Sequence, residues 1–234
     1  PNNFLRDISK IIDKKSGIFL LEHADLYSII KHNLFDTICH EHLTYYSSKI
    51  IINMAKRNNL RIIDIERNDI NGGSTRFYFS HNDSLYKEKK EKISNFLKVE
   101  KKTKLENSDT FKKFFQKILR LKTSLNKSID RIIENKKIIH GYGASTKGNV
   151  LLQFYGIGRK KINFIADRNI EKNHHFTPGT KIKIITEKKS RSLRPDYYLV
   201  LPWHFKKEIL KREKSLLKNN VKFIFPLPEV KIIK

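Results

Sequence analysis

The chain has 234 residues, 38% of them hydrophobic, with 15 Phe and a formal net charge of +25. That length and apolar content support one large or two small folded domains and exclude extensive disorder. The single Cys39 excludes an internal disulfide and a multi-cysteine zinc site, and no apolar run reaches the roughly 18 residues a membrane-spanning helix needs.

The charge points to an anionic partner, but Lys, Ile and Asn are over-used together, a bias that an AT-rich gene produces by itself. Basic residues are also scattered rather than gathered around stacking aromatics, so neither a nucleic-acid nor a membrane partner is expected. The amino terminus is polar and amphipathic without a secretory leader, which makes the cytoplasm the default location. The first residue is Pro1 and the only Met is Met54; the expectation is a portion of a longer protein.

In chain order, NFLRDISKIID (3–13) spaces Phe4, Leu5, Ile8, Ile11 and Ile12 for a helix. Ser16-Gly17 stops it, and IFLLE (18–22) reads as a buried strand with no sheet upstream to receive it. FDTICHEHLTYYS (35–47) is a polar loop in which His40, Glu41 and His42 stand side by side. Residues 47–59 are helical in pattern. LRIIDIER (60–67) and STRFYFSH (74–81) form a hairpin through Asn71-Gly72-Gly73. Between residues 87 and 137 Lys and Arg number 17 against 7 Asp and Glu. There Phe111, Phe114, Phe115, Ile118, Leu121, Leu125 and Ile129 mark an amphipathic helix of about 25 residues, with a shorter one before it around 84–102.

From 135 the pattern alternates. KKIIH, KINFIAD, RPDYYLVLPW and VKFIFPLP read as strands, while VLLQFYG and FKKEILKREKSLLKNN read as helices. Such alternation predicts parallel βαβ units in a doubly wound sheet.

Two stretches carry chemistry. HGYGASTKGN (140–149) puts Gly141, Gly143 and Gly148 between a strand and a helix, where backbone amides can approach a phosphate and Lys147 adds a cation. Asp167 follows about 20 residues later, where dinucleotide folds place a ribose-binding acid. The spacing is G-x-G-x-x-T, with Thr146 third, and it is no P-loop. Phosphate contact, a plain turn and a dinucleotide site all remain open on these residues alone. In HEH, the position three after Glu41 is Thr44, which removes the HExxH zinc pattern. His174-His175 could add ligands only by coincidence of folding, and no metal is expected. A polar loop and an acid–base centre are then the competing readings. Adjacent residues of an extended loop point opposite ways, so only one or two of the three could act on one substrate.

Taken in order, FDTICHEHLTYYS, INGGSTRFYFSH, GYGASTKGNVLLQFYGI, IADRNIEKNHHFTPGTKIKI, PDYYLVLPWHF and FIFPLPEV resemble the carboxyl-terminal part of the sugar C-methyltransferases, over about residues 4–231. The resemblance implies an α/β chain with a Rossmann-like, doubly wound carboxyl-terminal domain at 136–234. Before it come the closing part of a class I methyltransferase domain at 1–83, which holds the HEH loop, and a basic helical connection at 84–135. It implies S-adenosylmethionine as methyl donor, bound mainly by residues upstream of this chain, and zinc only in an amino-terminal module also outside it.

The implied reaction removes the proton alpha to the ketone of a nucleotide-linked deoxysugar, after which the enolate carbon attacks the donor methyl. The resemblance places the base at His42 with Glu41 beside it; His40 and Tyr45 complete the catalytic candidates. Tyr45, or a group outside the chain, would hydrogen-bond the ketone oxygen as it gains charge. Arg76, Lys147, Asn149 and Tyr142 are the candidates for the nucleotide and sugar. The chain departs from the family at Cys39, where a Tyr is usual, at Asn71 (usually His) and at His204 (usually Asn). Alone, this portion is expected to be inactive. The alternative is a non-catalytic module that binds a nucleotide-sugar or a dinucleotide.

Overall fold

A computed structural model describes all residues, 1–234. Two compact units emerge. The first comprises Pro1–His32 and Leu43–Phe114, the second Asn33–His42 and Phe115–Lys234. No helix is long and apolar enough to cross a membrane.

In the first unit, α1 (Asn2–Ile11) precedes β1 (Phe19–His23), α2 (Leu26–Lys31) and α3 (Ser48–Arg57). The hairpin predicted around Asn71-Gly72-Gly73 is β2 (Leu60–Asn68) and β3 (Ser74–His81), with β1 antiparallel on the other side of β3. The strand without an upstream sheet thus closes on the hairpin. Leu5, Ile51, Met54, Leu60, Ile62, Ile65, Phe77 and Phe79 form the core beneath these strands. The i, i+3 and i+4 spacing brings Leu5 of α1 and Ile51, Met54 and Ala55 of α3 into it, while Phe4, Ile11 and Ile50, expected on the same faces, are exposed. The first of the two basic helices is α4 (Lys90–Lys101), shorter than expected, and its Ile93 and Phe96 lie against the same core. The second, α5 (Ser108–Glu134), has 27 residues; its Leu125, Ile129 and Ile132 are buried.

The second unit is an α/β fold on a six-stranded mixed sheet. Its elements are β4 (Ile139–Tyr142), α6 (Thr146–Tyr155), β5 (Phe164–Asp167), β6 (Lys183–Thr186), α7 (Glu187–Ser192), β7 (Tyr197–Val200), α8 (Lys206–Arg212), α9 (Lys214–Lys218), β8 (Lys222–Phe225) and β9 (Lys231–Ile233). The order is β6-β5-β4-β7-β8-β9. All pairs are parallel except β8 with β9. β4 is buried along its whole length, as expected of a central parallel strand covered on both faces.

Local signals explain α6. Ser145 accepts the Gly148 amide at 3.1 Å as N-cap, and Gly156 ends the helix at φ 70°, a left-handed conformation that glycine adopts without a Cβ clash. Gly148 also lets the helix approach β7: a Cβ there would sit 2.7 Å from Leu201 Cβ.

Three sequence readings need adjustment. The single helix expected over 205–220 is α8 and α9, separated at Glu213, whose carboxylate turns inward to Tyr142, Arg191 and Arg212. β6 and α7 carry no sequence signal of their own, because a four-residue strand and a six-residue helix are too short for periodicity to mark. The unit boundaries fall at 33, 43 and 115 rather than at 84 and 136. Residues 33–42 belong to the second unit because Phe35 stacks on Tyr155 at 4.9 Å and Asp36 bonds Trp203. The second half of α5 joins it through the Asn126 amide, which donates to the Tyr155 carbonyl at 2.9 Å.

Candidate functional site

The second unit brings the two chemistry-bearing stretches together. Asn33–His42 reaches the neighbourhood of the turn between β4 and α6 and the segment leaving β7. Phe35–Thr37 forms one 3-10 turn, buried at all three residues. Asp36 is fully buried, and its Oδ2 accepts a hydrogen bond from Trp203 Nε1 at 2.7 Å, while Oδ1 is buried without a partner. Burial raises the Asp36 pKa, opposed by the Trp203 bond and the charge of Lys147. Lys147, in the first turn of α6, is held below the ordinary lysine range by burial, against the pull of Asp36 and Cys39. His204 falls to about 4, chiefly from burial and then from Lys147, so its imidazole is neutral at pH 7. Burial, and then Asp36, pushes the Tyr155 phenol up.

The HEH triplet is a turn rather than an extended loop, closed by the His42 amide donating to the Cys39 carbonyl at 3.1 Å. His40, Glu41 and His42 are all exposed. His42 nevertheless has a fixed ring, with Nδ1 2.7 Å from the Thr37 carbonyl oxygen. A carbonyl can only accept, so Nδ1 carries a proton.

The remaining candidates fall as follows. Tyr45 is half-buried and belongs to the first unit. Arg76 is also there, in β3, where its guanidinium donates to Glu22 at 2.7 Å and Glu66 at 3.1 Å across neighbouring strands. Tyr142 ends β4 and donates its hydroxyl to Glu213 at 2.8 Å. Asn149, in α6, has a buried Oδ1 without a hydrogen bond. Groups of three or more His, Cys, Asp and Glu placed to hold a metal do not occur.

Sequence reasoning missed Asp36, Trp203 and a second feature. Between β4 and β7 the strand order reverses, and a cleft of about 470 Å³ opens at the carboxyl ends of the strands. Gly143–Ser145, Asp167, Arg168, Glu187 and Phe205 are among its lining residues. Such reversals are where open α/β sheets bind ligands. Asp167, expected as a ribose ligand, accepts the Ala144 amide at 2.7 Å and pairs with Lys172 at 3.4 Å. A larger groove of about 830 Å³ along α5 is lined by ordinary helix surface from Leu119 to Glu134, so size does not single out the site. Asp36 has no motif of its own, lying between Phe35 and Thr37; only the length of the Asp36–Trp203 sequence separation hides it.

A cleft at the strand-order reversal of a mixed sheet marks the second unit as a domain of the α/β class with a ligand-sized opening. The C-methyltransferase C-terminal domain profile matches residues 69–228, more than half of the chain, and the chain belongs to that family. C-methyltransferase NovU of Streptomyces niveus is 31% identical over 217 residues, 93% of this chain and 51% of the relative. The chain therefore spans about half the length of that relative.

Proposed function

We propose that this chain is the carboxyl-terminal portion of an enzyme that transfers a methyl group from S-adenosylmethionine to the carbon alpha to the ketone of a nucleotide-linked deoxysugar. His42 removes the alpha proton through Nε2. The observation that carries the reading is the His42 Nδ1–Thr37 carbonyl bond of 2.7 Å, which fixes the orientation of the ring. Glu41 and His40 stand beside the base. The ketone oxygen needs a hydrogen-bond donor as it gains charge, a role for Tyr45 or for a group outside this chain. Lys147, Asn149 and Tyr142 are assigned to the nucleotide. Arg76 gives two of its five N–H donors to Glu22 and Glu66.

The methyl donor, when bound, supplies an electrophilic methyl group. In this reading it is held by sequence upstream of residue 1, together with any zinc module. The glycine turn here fits it poorly, because the Ala144 amide is taken by Asp167 and Ser145 caps its own helix. The name of the relative supports C-methyl transfer; the sugar comes from the ordered motifs. The order β6-β5-β4-β7-β8-β9 supports a Rossmann-like reading of the second unit, since it has the 3-2-1-4-5-6 arrangement of that fold. The cleft at its reversal favours, as a second reading, a non-catalytic nucleotide-sugar or dinucleotide module.

The test uses the intact protein, a methyl-labelled donor and a dTDP-linked keto-deoxysugar in deuterated solvent. Label transfer to the sugar is expected, with His42→Ala lowering turnover at least ~100-fold and leaving nucleotide binding little changed. Near-normal turnover of His42→Ala would remove it as the base. Calorimetric binding of NAD without any response to the sugar nucleotide would instead support the module.

A further inference from the structure

The glycine turn after β4 is tied to the end of β5 and to the loop that follows it. The Gly143 amide donates to the Ala166 carbonyl, and the Ala144 amide to Asp167 Oδ2, each at 2.7 Å. The Ala144 carbonyl in turn accepts from Lys172 Nζ at 2.7 Å, and the same ammonium pairs with Asp167 at 3.4 Å. The other oxygen of Asp167 accepts the Asn169 amide at 2.8 Å. Gly143, Ala144, Asp167 and Lys172 all line the cleft of about 470 Å³. The turn has little room to retreat from Asp167, because Gly143 sits at φ 80° with the Pro202 ring 2.8 Å from where a Cβ would stand.

In folds of this strand order a bound pyrophosphate takes amides of this turn, at the helix amino terminus, and the acid ending the second strand takes a ribose hydroxyl. Here the acid is folded onto the turn. Its carboxylate uses an amide that a phosphate would need, and it sets a negative charge beside the others. A second anion at that distance is repelled, and the Ala144 amide could serve it only if Asp167 swung away. The hydroxyl of Ser145 does not replace what is lost, since it accepts the Gly148 amide at 3.1 Å.

We propose that Asp167 is a specificity-determining residue of the cleft. It fills the anion position of the glycine turn, with Lys172 as its clasp, and so excludes dinucleotides and any other ligand that must place a phosphate there. A nucleotide-linked ligand then enters by its uncharged part, a base or a sugar ring, with its diphosphate away from the turn. This inference rests on the cleft as the ligand site of the second unit and is independent of His42 as the base. It narrows the second reading above to a nucleotide-sugar module.

The test is carried out on the intact protein, 15N-labelled, in about 0.15 M salt, with inorganic pyrophosphate and NAD as the probes. A chain of net charge +25 also attracts pyrophosphate elsewhere on its surface, so the readout is the shift of the Ala144 and Ser145 amide resonances. Wild type is expected to show no saturable shift at these amides with either probe. Asp167→Ala is expected to bind both there, at least ~10-fold more tightly than wild type, as removal of a close like charge allows. Asp167→Asn keeps an oxygen for the Ala144 amide without the charge; it is expected to gain affinity in the same direction, and it carries the test if Asp167→Ala fails to fold. A saturable shift in wild type, or a folded Asp167→Asn that binds neither probe more tightly than wild type, would overturn the inference. If methyl transfer to the sugar fails while the Asp167 variants gain pyrophosphate, the proposed function falls and the exclusion by Asp167 stands.

Discussion

Residue by residue, the second unit carries histidines of opposite character. His42 is exposed and fixed by a carbonyl. His140 is 1% exposed within β4, bonded to Ser190 Oγ at 2.8 Å, and burial lowers its pKa to about 4. It is therefore neutral in the folded state at pH 7. As pH falls below about 6.5, the unfolded chain takes up a proton that the folded chain refuses, so stability is lost between about pH 6.5 and 4 and the loss levels off below that. A shift of this size corresponds to about 3 kcal/mol. Urea unfolding at pH 7 and pH 4 checks it: His140→Phe is expected to lose less stability over that interval than wild type, and an identical loss would show that His140 is not the titrating group. Of the candidate site, the sequence made the HEH triplet, Lys147 and Asn149 visible as chemistry. It could not show which imidazole nitrogen donates to the backbone, because that depends on a carbonyl five residues away folding back onto the ring. Asp36 was invisible for a related reason: its partner, Trp203, is 167 residues distant.

Among the elements, α6 sets how closely the glycine turn and Lys147 approach the segment leaving β7. Its beginning and end were legible, since Ser145 and Gly156 are ordinary capping residues. Its closeness to β7 was not, because Gly148 in sequence could equally serve a phosphate loop. The structure assigns it to packing: a Cβ would lie 2.7 Å from Leu201 Cβ and 3.0 Å from Ser145 Oγ. Gly148→Ala is expected to cost about 1–3 kcal/mol, the usual effect of overfilling a close contact, and to lower the thermal midpoint measured by calorimetry. An unchanged or higher midpoint would mean that helix and strand separate without cost there. The break between α8 and α9 likewise escaped a periodicity reading, because Glu213 is helix-compatible by propensity and only its inward network with Tyr142, Arg191 and Arg212 explains its burial.

For the whole molecule, the charge of +25 is the dominant long-range fact. Surface pairs such as Lys49–Glu106 and Lys112–Asp109 are highly exposed, and each contributes little. Repulsion among the excess cations acts over the Debye length of about 10 Å at 0.1 M salt. Raising NaCl from about 20 to about 200 mM should therefore screen more repulsion than attraction and raise the thermal midpoint by about 2–4 °C, equal to about 1 kcal/mol for a chain of this size. A midpoint that falls with salt would mean that the ion pairs outweigh the net charge.

Composition, periodicity and ordered motifs were enough to establish the α/β class of the second unit, the hairpin of the first, and the C-methyltransferase family. Each of these is written in local spacing: apolar residues at helix or strand period, and Gly, Ser and Asn at turns. Only the tertiary structure decided that residues 33–42 join the unit formed by 115–234, that β6 completes its sheet, and that Asp36 meets Trp203. Those facts depend on contacts between residues far apart in the chain, where burial and hydrogen-bond geometry, rather than local preference, select the arrangement.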